Sequence, residues 1–277
     1  MKLRGIICAD DSSLSEAQSL AAEFFVPLVE GSALTALKPK WIRALLEETL
    51  GDVEGDCAFH IGEGRLQLVS FNRANSVSIA PDFCSPTATY RRLKGGGMGQ
   101  MIAKAVGVRP GVKPDILDAT AGLGGDAFVF ASLGCHVAML ERVPVVRALL
   151  KNALQFASRS EEAIAEVVFR MTLIEEDAAT YIEALTEADA PGVIYLDPMF
   201  PARMKQAQVK KEMKVFHSLV GEDKDAHVLL PLALEKARYR VVVKRPKSAP
   251  YLNDQKPSHE LVGKSNRYDI YTKQKPA

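Results

Sequence analysis

Cysteine, histidine and tryptophan are scarce in this chain, and each scarcity excludes something. Four cysteines (Cys8, Cys57, Cys84, Cys135) are spread over 277 residues with no C-x-x-C pair. That argues against a zinc site or a disulfide framework and suits a reducing cytoplasm. Of the five histidines, His60, His136 and His259 are isolated and His217 and His227 flank a loop without metal-ligand spacing, so no metal is expected. The one tryptophan, Trp41, reads as core packing rather than as a platform for stacking bases. No apolar run approaches the roughly 20 residues of a membrane-spanning helix. The opening "MKLRGIICADDSS" has only a short apolar patch before two aspartates, unlike a signal peptide. A cytoplasmic protein without a membrane partner is the expectation.

What is present is ordinary for a globular chain: 47% hydrophobic and 25% charged residues, enough for one large or two unequal domains. The net charge of +1 hides an uneven distribution. Residues 1–90 carry 7 Lys/Arg against 12 Asp/Glu, residues 105–200 carry 7 against 14, and residues 236–277 reverse the balance with 11 against 3. Two further basic clusters are Arg91, Arg92 and Lys94, and the run "ARMKQAQVKKEMK" at 202–214. Clustered positive charge can hold phosphates even when the total is neutral, although the same pattern also describes solvated lysine-rich faces.

Residues 1–95 read as a smaller α/β region. "SLSEAQSLAAEFF" is helical with Ser13 or Ser15 as its cap, "KWIRALLEETL" is a second amphipathic segment, and "RLQLVSFN" and "SVSIAPDF" alternate as strands. The glycines Gly95 to Gly97 mark a hinge, and a helix is predicted from about Met98. From 96 to 277 the pattern becomes strand, turn, helix, repeated: "DILDAT", "HVAMLER", "RMTLIEED", "GVIYLD" and "YRVVVKRP" as strands with helices between. The strand "RYDIYTK" is predicted to pair antiparallel with "YRVVVKRP". This alternation implies a Rossmann-like parallel sheet covered on both faces, with ligands beyond the carboxyl ends of its strands.

Three strand tips carry the chemistry. In "LDATAGLGGDA", Asp118 ends a strand and Gly122 and Gly124 permit a tight turn into a helix beginning near Gly125 and Asp126. With Ala127 the spacing satisfies G-x-G-x-x-A, a nucleotide-binding fingerprint. Glu141 ends the next strand, where a carboxylate can accept both hydroxyls of a ribose. Asp177, with Glu176 as a competitor, ends the third and could accept a hydrogen from an adenine amine. Up to this point a nicotinamide dehydrogenase and a methyltransferase using S-adenosylmethionine are equally served. The fourth tip separates them. In "VIYLDPMFP", Asp197, Pro198 and Phe200 offer one acceptor, one rigid backbone carbonyl and one aromatic face. These suit a planar base with an exocyclic amine, whose hydrogens go to the carboxylate and the Pro198 carbonyl while the Phe200 ring stacks on the base. Nothing in the later strands offers the acid–base group a hydride transfer wants. Spacing and charge leave guanine N2 and adenine N6 both open as targets.

The segments "RRLKGGG", "DATAGLGGDAF", "MLER", "YLDPMFP", "VKKEM", "VFHSLVG" and "VVVKRP" together resemble the bacterial ribosomal RNA small-subunit methyltransferase J family over roughly residues 88–271. The resemblance implies a class I methyltransferase sheet with a C-terminal antiparallel strand pair, and methylation of guanine N2 in 16S rRNA. It also implies S-adenosylmethionine as donor, S-adenosylhomocysteine as product, and no metal. The matching motifs place the donor at Gly125-Asp126, Glu141-Arg142, Asp177-Ala178 and Asp197. Met199 departs from the common D/N-P-P-Y/F signature, which reads as a variation of the substrate pocket. Gly125 stands where relatives are expected to carry a longer basic side chain, so only backbone contacts remain there. On this reading Arg91, Arg92, Lys94, Lys210, Lys211, Lys214, Lys244 and Arg245 are candidates for holding RNA phosphates. The substrate would be small-subunit rRNA, free or within a ribosomal particle, and the oligomeric state stays open. A nicotinamide oxidoreductase and a non-catalytic RNA-binding protein on the same fold are the alternatives.

Overall fold

The computed structural model describes residues 1–30, 39–71, 77–89, 97–199, 211–221 and 226–274. They group into two compact units, Met1–Pro81 with Ala202–Gly221, and Asp82–Pro201 with Glu222–Ala277. The single boundary expected at 95/96 is replaced by a cut after Pro81. In addition, the helix Lys211–Val220 joins the first unit, where it packs against the strand Val77–Ile79 and buries Phe216.

The first unit is a five-stranded sheet. Its strands are β1 (Leu3–Cys8), β2 (Leu28–Glu30), β3 (Cys57–Gly62), β4 (Arg65–Ser70) and β5 (Val77–Ile79), in the order β2-β1-β3-β4-β5. β1 is parallel to β2 and β3, and β3, β4 and β5 form an antiparallel meander. Glu63 and Gly64 join β3 to β4, both with positive φ (52° and 70°), the backbone of a two-residue hairpin turn whose twist matches its strands. Alternation in β1 sends Ile7 to one face, where Ile42 and Leu46 of α2 (Pro39–Leu50) meet it. On the face of Phe59 lies α1 (Leu14–Phe24), whose Phe24 ring meets it edge-on at 5.5 Å. Ser13 stands at the N-cap of α1, one of the two serines expected there, but makes no side-chain capping bond; Asp10 accepts the Ser13 amide at 2.9 Å and caps the short 3-10 turn leading into α1.

The second unit contains a seven-stranded sheet. Five strands are parallel: β6 (Ile116–Asp118), β7 (Val137–Leu140), β8 (Met171–Ile174), β9 (Val193–Leu196) and β10 (Arg240–Pro246). With β11 (His259–Val262) and β12 (Asn266–Thr272) the order is β11-β12-β10-β9-β6-β7-β8, β12 running antiparallel to both β10 and β11. The predicted pairing of "YRVVVKRP" with "RYDIYTK" is therefore present, and β11 adds a strand beyond those expected.

Helices cover both faces. On one side α3 (Met101–Val106), α4 (Gly125–Ser132), α5 (Pro144–Ser158) and α6 (Glu162–Val168) pack with Val137, Tyr195 and Val242. On the other, α7 (Ala178–Ala184) and α9 (Ala226–Lys236), the helix following α8 (Lys211–Val220), pack with Leu117, Ile194 and Val241. This two-sided burial explains why "VIYL" and "VVV" are continuously apolar rather than alternating. Each such fully buried side chain contributes about 1.5–3 kcal/mol. After β8 the chain returns past β7 and β6 to lay β9 on the far side of β6. Strand order therefore reverses between β6 and β9, and the ligand crevice of an open α/β sheet lies at such a point.

Candidate functional site

Four strand tips converge there. At the end of β6, Gly122 and Gly124 have φ of 55° and 74°. The Gly124 amide donates to the Ala121 carbonyl at 2.9 Å, closing a turn from which α4 departs. A Cβ on Gly124 would stand 2.7 Å from Leu150 Cδ1 and 3.1 Å from Phe83 Cζ, so this glycine also leaves room for Leu150 of α5 and the Phe83 ring. At the end of β7, Glu141 is 7% exposed. One carboxylate oxygen accepts the Gly122 amide at 2.9 Å and the other the Val143 amide at 2.7 Å. Glu141 thus shapes the glycine turn as well as facing the crevice. Arg142 is exposed beside it.

At the end of β8, Asp177 is the N-cap of α7 and accepts the Thr180 amide at 3.0 Å and its hydroxyl at 3.2 Å. It is exposed, and Ala178 opens the helix. Strands lie about 4.7–4.9 Å apart in a sheet, so the tips of β6, β7 and β8 present a glycine turn, a carboxylate and a second carboxylate along a line roughly as long as an adenosine.

On the other side of β6 stands Asp197, one residue beyond β9. Its amide donates to Thr120 Oγ1 at 2.6 Å, which ties the β9 tip to the β6 turn. Its carboxylate accepts Lys244 Nζ at 2.9 Å, and the same ammonium donates to Asp126 at 2.8 Å. Tyr195, buried in β9, donates its phenolic hydrogen to that Asp126 oxygen at 2.7 Å. Asp118 is 2% exposed and accepts the Thr120 amide at 3.2 Å.

The electrostatics follow from this crowding. Burial, then the charges of Asp126 and Asp197, push the Asp118 carboxyl well above the usual carboxylate range, against the opposing Thr120 amide and Lys244. Burial and then Asp126 and Asp197 likewise raise the Tyr195 phenol, and burial with Asp126 raises Tyr268 to about 12. For Lys244 burial alone would lower the ammonium. The two carboxylates outweigh it, by charge and by hydrogen bond, and hold it above the ordinary lysine value. Among the described residues no group of three or more His, Cys, Asp or Glu side chains could hold a metal ion, and no helix is long and apolar enough to cross a membrane.

The structure thus brings Asp118, Gly122, Gly124, Gly125, Asp126, Glu141, Asp177, Ala178, Asp197 and Pro198 to the carboxyl ends of neighbouring strands. Two residues expected to hold phosphates are placed otherwise. Lys244 is drawn between two carboxylates. Arg245 is 3% exposed, and its guanidinium donates to the Pro250 carbonyl at 2.9 Å on the opposite face of the strand. Phe200, Arg91, Arg92, Lys94 and Lys210 lie outside the described residues, as do the side chains of Lys211 and Lys214 in α8. Thr120, Tyr195 and the inward-turned Lys244 are site features that the sequence motifs do not announce. A tyrosine in the middle of a strand buried on both faces was the available signal, because its hydroxyl needs a partner.

A family model described as "Putative SAM-dependent methyltransferase" matches residues 44–273. The ribosomal RNA small subunit methyltransferase J of Cellvibrio japonicus is 48% identical over 274 residues, covering 98% of this chain and 97% of that protein. The chain belongs to the ribosomal RNA small subunit methyltransferase J family. The member of this family from Pseudomonas paraeruginosa is 49% identical over 84% of this chain and 88% of its own. A solved SAM-dependent methyltransferase from Neisseria gonorrhoeae is 34% identical, has a TM-score of 0.67, and covers 96% of this chain and 95% of that one. The seven-stranded sheet is accordingly the class I methyltransferase sheet expected from the sequence. S-adenosylmethionine, the donor of the matched family, fits the residues present: a glycine turn with left-handed backbone, and carboxylates in series on the two neighbouring strands.

Proposed function

We propose that this protein transfers a methyl group from S-adenosylmethionine to the exocyclic amine of a base in small-subunit ribosomal RNA. Guanine N2 is the target that the family resemblance implies. One observation carries the reading: Asp197 at the tip of β9 is tied through Thr120 to the glycine turn of β6, so an amine acceptor adjoins a donor-binding turn.

When bound, the donor supplies a sulfonium-activated methyl group. Glu141 would accept hydrogen bonds from the ribose hydroxyls, Asp177 would serve the adenine end, and the turn Gly122–Asp126 would hold the remainder. Arg142 and Ala178 flank these contacts. On the acceptor side, Asp197 and the Pro198 carbonyl take the amine hydrogens and Phe200 stacks on the base. An aryl amine is a weak nucleophile because its lone pair is delocalised into the ring. Holding both hydrogens turns that pair towards the methyl carbon, so catalysis is chiefly positioning and electrostatics. Arg91, Arg92, Lys94, Lys210, Lys211 and Lys214 are assigned to RNA phosphates, and the N-terminal region, residues 1–95, to gripping the RNA. Free rRNA and a ribosomal particle are both admitted as substrates.

The test is methyl transfer from labelled donor into small-subunit rRNA, or the particle containing it, from cells lacking this protein, followed by digestion to nucleosides and mass identification. N2-methylguanosine with the intact protein and none with Asp197→Ala is the expected result. Label in adenosine would replace the target base. No transfer to any form of the RNA would overturn the proposal.

A further inference from the structure

Lys244 has the composition of a surface phosphate contact and the surroundings of an internal one. β10 runs parallel to β9 with Val243 opposite Leu196, so Lys244 and Asp197 are the next residues along the two chains, Lys244 still inside β10 and Asp197 just beyond β9. On its other side Lys244 is paired with Tyr268 of β12. Its side chain is 20% exposed, and its Nζ lies 2.8 Å from Asp126 and 2.9 Å from Asp197. Asp126 lies in the first turn of the helix after the glycine turn, and Asp197 directly follows β9 on the proposed acceptor side. A single ammonium therefore joins the donor half of the crevice to the acceptor half.

We infer that Lys244 is a positioning residue for methyl transfer, fixing the Asp197 carboxylate as an ionised acceptor beside the donor turn. This rests on the proposed methyl transfer. The groups around the bridge are Asp118 from β6, Asp126 from α4, Tyr195 from β9, Asp197 just beyond it, and Tyr268 from β12, with Arg245 of β10 also interacting electrostatically with Asp197. Arg245 turns to the other face of the sheet. Asp126, Asp197 and Lys244 together carry one net negative charge, which complements a sulfonium. Without the ammonium, two carboxylates would share one polar niche above buried Asp118, and like charges so close favour protonation of one of them. A protonated Asp197 would be a weaker acceptor and would set an O–H donor against the amine hydrogens. Because both carboxylates hold the Lys244 ammonium above its ordinary range, the bridge persists across neutral and alkaline pH.

The experiment compares wild-type protein, Lys244→Met and Lys244→Arg in two measurements. The first is the pH dependence of single-turnover methyl transfer into small-subunit rRNA. Lys244→Met is expected to lower the rate at neutral pH by about 100-fold, with the RNA KM within roughly threefold, and to move the acidic limb up by about one pH unit or more. Lys244→Arg should restore the limb. The second is a carbon-13 carboxyl NMR titration of the folded protein without RNA or donor. There the Asp126–Asp197 pair in Lys244→Met should take up its first proton about one unit higher than in wild type.

A folded Lys244→Met protein with an unmoved acidic limb and an unmoved carboxyl titration would overturn the inference, whatever its rate. A raised RNA KM with unchanged kcat would do the same and return Lys244 to the phosphate contacts. If Lys244→Met does not fold, Lys244→Gln takes its place in both measurements. Should the wild type transfer no methyl to rRNA, the proposed substrate fails, and the NMR titration alone still decides whether Lys244 governs the pair.

Discussion

The backbone amide of Asp197 donates to the hydroxyl of Thr120 at 2.6 Å, across 77 residues of sequence. This bond sets where the acceptor loop begins relative to the glycine turn. Thr120→Ala removes the acceptor, whereas Thr120→Ser keeps it. Losing such a bond costs about 0.5–1.5 kcal/mol when the partner finds no other, and a loop displaced by a fraction of an ångström costs rate as well. Thr120→Ala should transfer methyl roughly tenfold more slowly, with Thr120→Ser near wild type. Equal rates for the two variants in a single-turnover assay would mean that the bond does not position the loop.

Glu141 accepts one backbone amide on each carboxylate oxygen, from Gly122 and Val143. A glutamine of the same length offers one acceptor and one donor group, so Glu141→Gln sets an N–H against an N–H. The glycine turn should loosen, and affinity for S-adenosylmethionine should fall by about tenfold or more. Calorimetric titration with the donor checks this. Wild-type affinity in the variant would show that the turn holds its shape without the carboxylate.

Gly124 combines a φ of 74° with a Cβ direction that meets Leu150 Cδ1 at 2.7 Å. Gly124→Ala should lower the stability of the second unit by about 1–3 kcal/mol, through both backbone strain and overpacking. Thermal unfolding followed by circular dichroism would report it as a lower Tm. An unchanged Tm would mean that Leu150 and Phe83 move aside at no cost.

In the first unit, Asp10 accepts hydrogen bonds from Ser12, Ser13 and Glu63, which lower its carboxyl from 3.8 to about 2. A depressed folded value stabilises the native state above the unfolded value and ceases to do so as pH falls through the folded one. Asp10→Ala should therefore be less stable than wild type at neutral pH, and the gap should close between about pH 4 and pH 2. Denaturant unfolding at a series of pH values measures it. A gap that stays constant down to pH 2 would contradict the assigned cause.

Much of this architecture is legible in the residues themselves. Gly122 and Gly124 mark a turn that the backbone requires, Pro144 opens α5 at its first turn, and apolar "VIYL" and "VVV" announce strands covered on both sides. The strand tips at Glu141, Asp177 and Asp197 follow from where these runs stop. Less legible was what depends on partners distant in sequence. Lys244 and Arg245 are adjacent cations, and period-two alternation sends one into the crevice and the other beneath the sheet. Which goes where depends on register with β9 and β12. Asp177 shows a further limit, because the same residue type that suits an adenine amine also suits a helix N-cap. β2 and β11 are short, and β1 and β3 are buried along most of their length and so lack the polar alternation that marks β4.

The pairing of β10 with β12 has a temporal meaning. Every residue from Arg240 to Pro246 has its partner in Asn266–Thr272, so the strand carrying Lys244 keeps one open edge until those residues have been synthesised. The carboxylates of Asp126 and Asp197 are made long before the ammonium that joins them. A nascent chain that has just emerged with its donor turn complete therefore still lacks the bridge between the two halves of its crevice. On the reading given for Lys244, competence for methyl transfer waits until Asn266–Thr272 has been made and has paired with the strand that carries the ammonium.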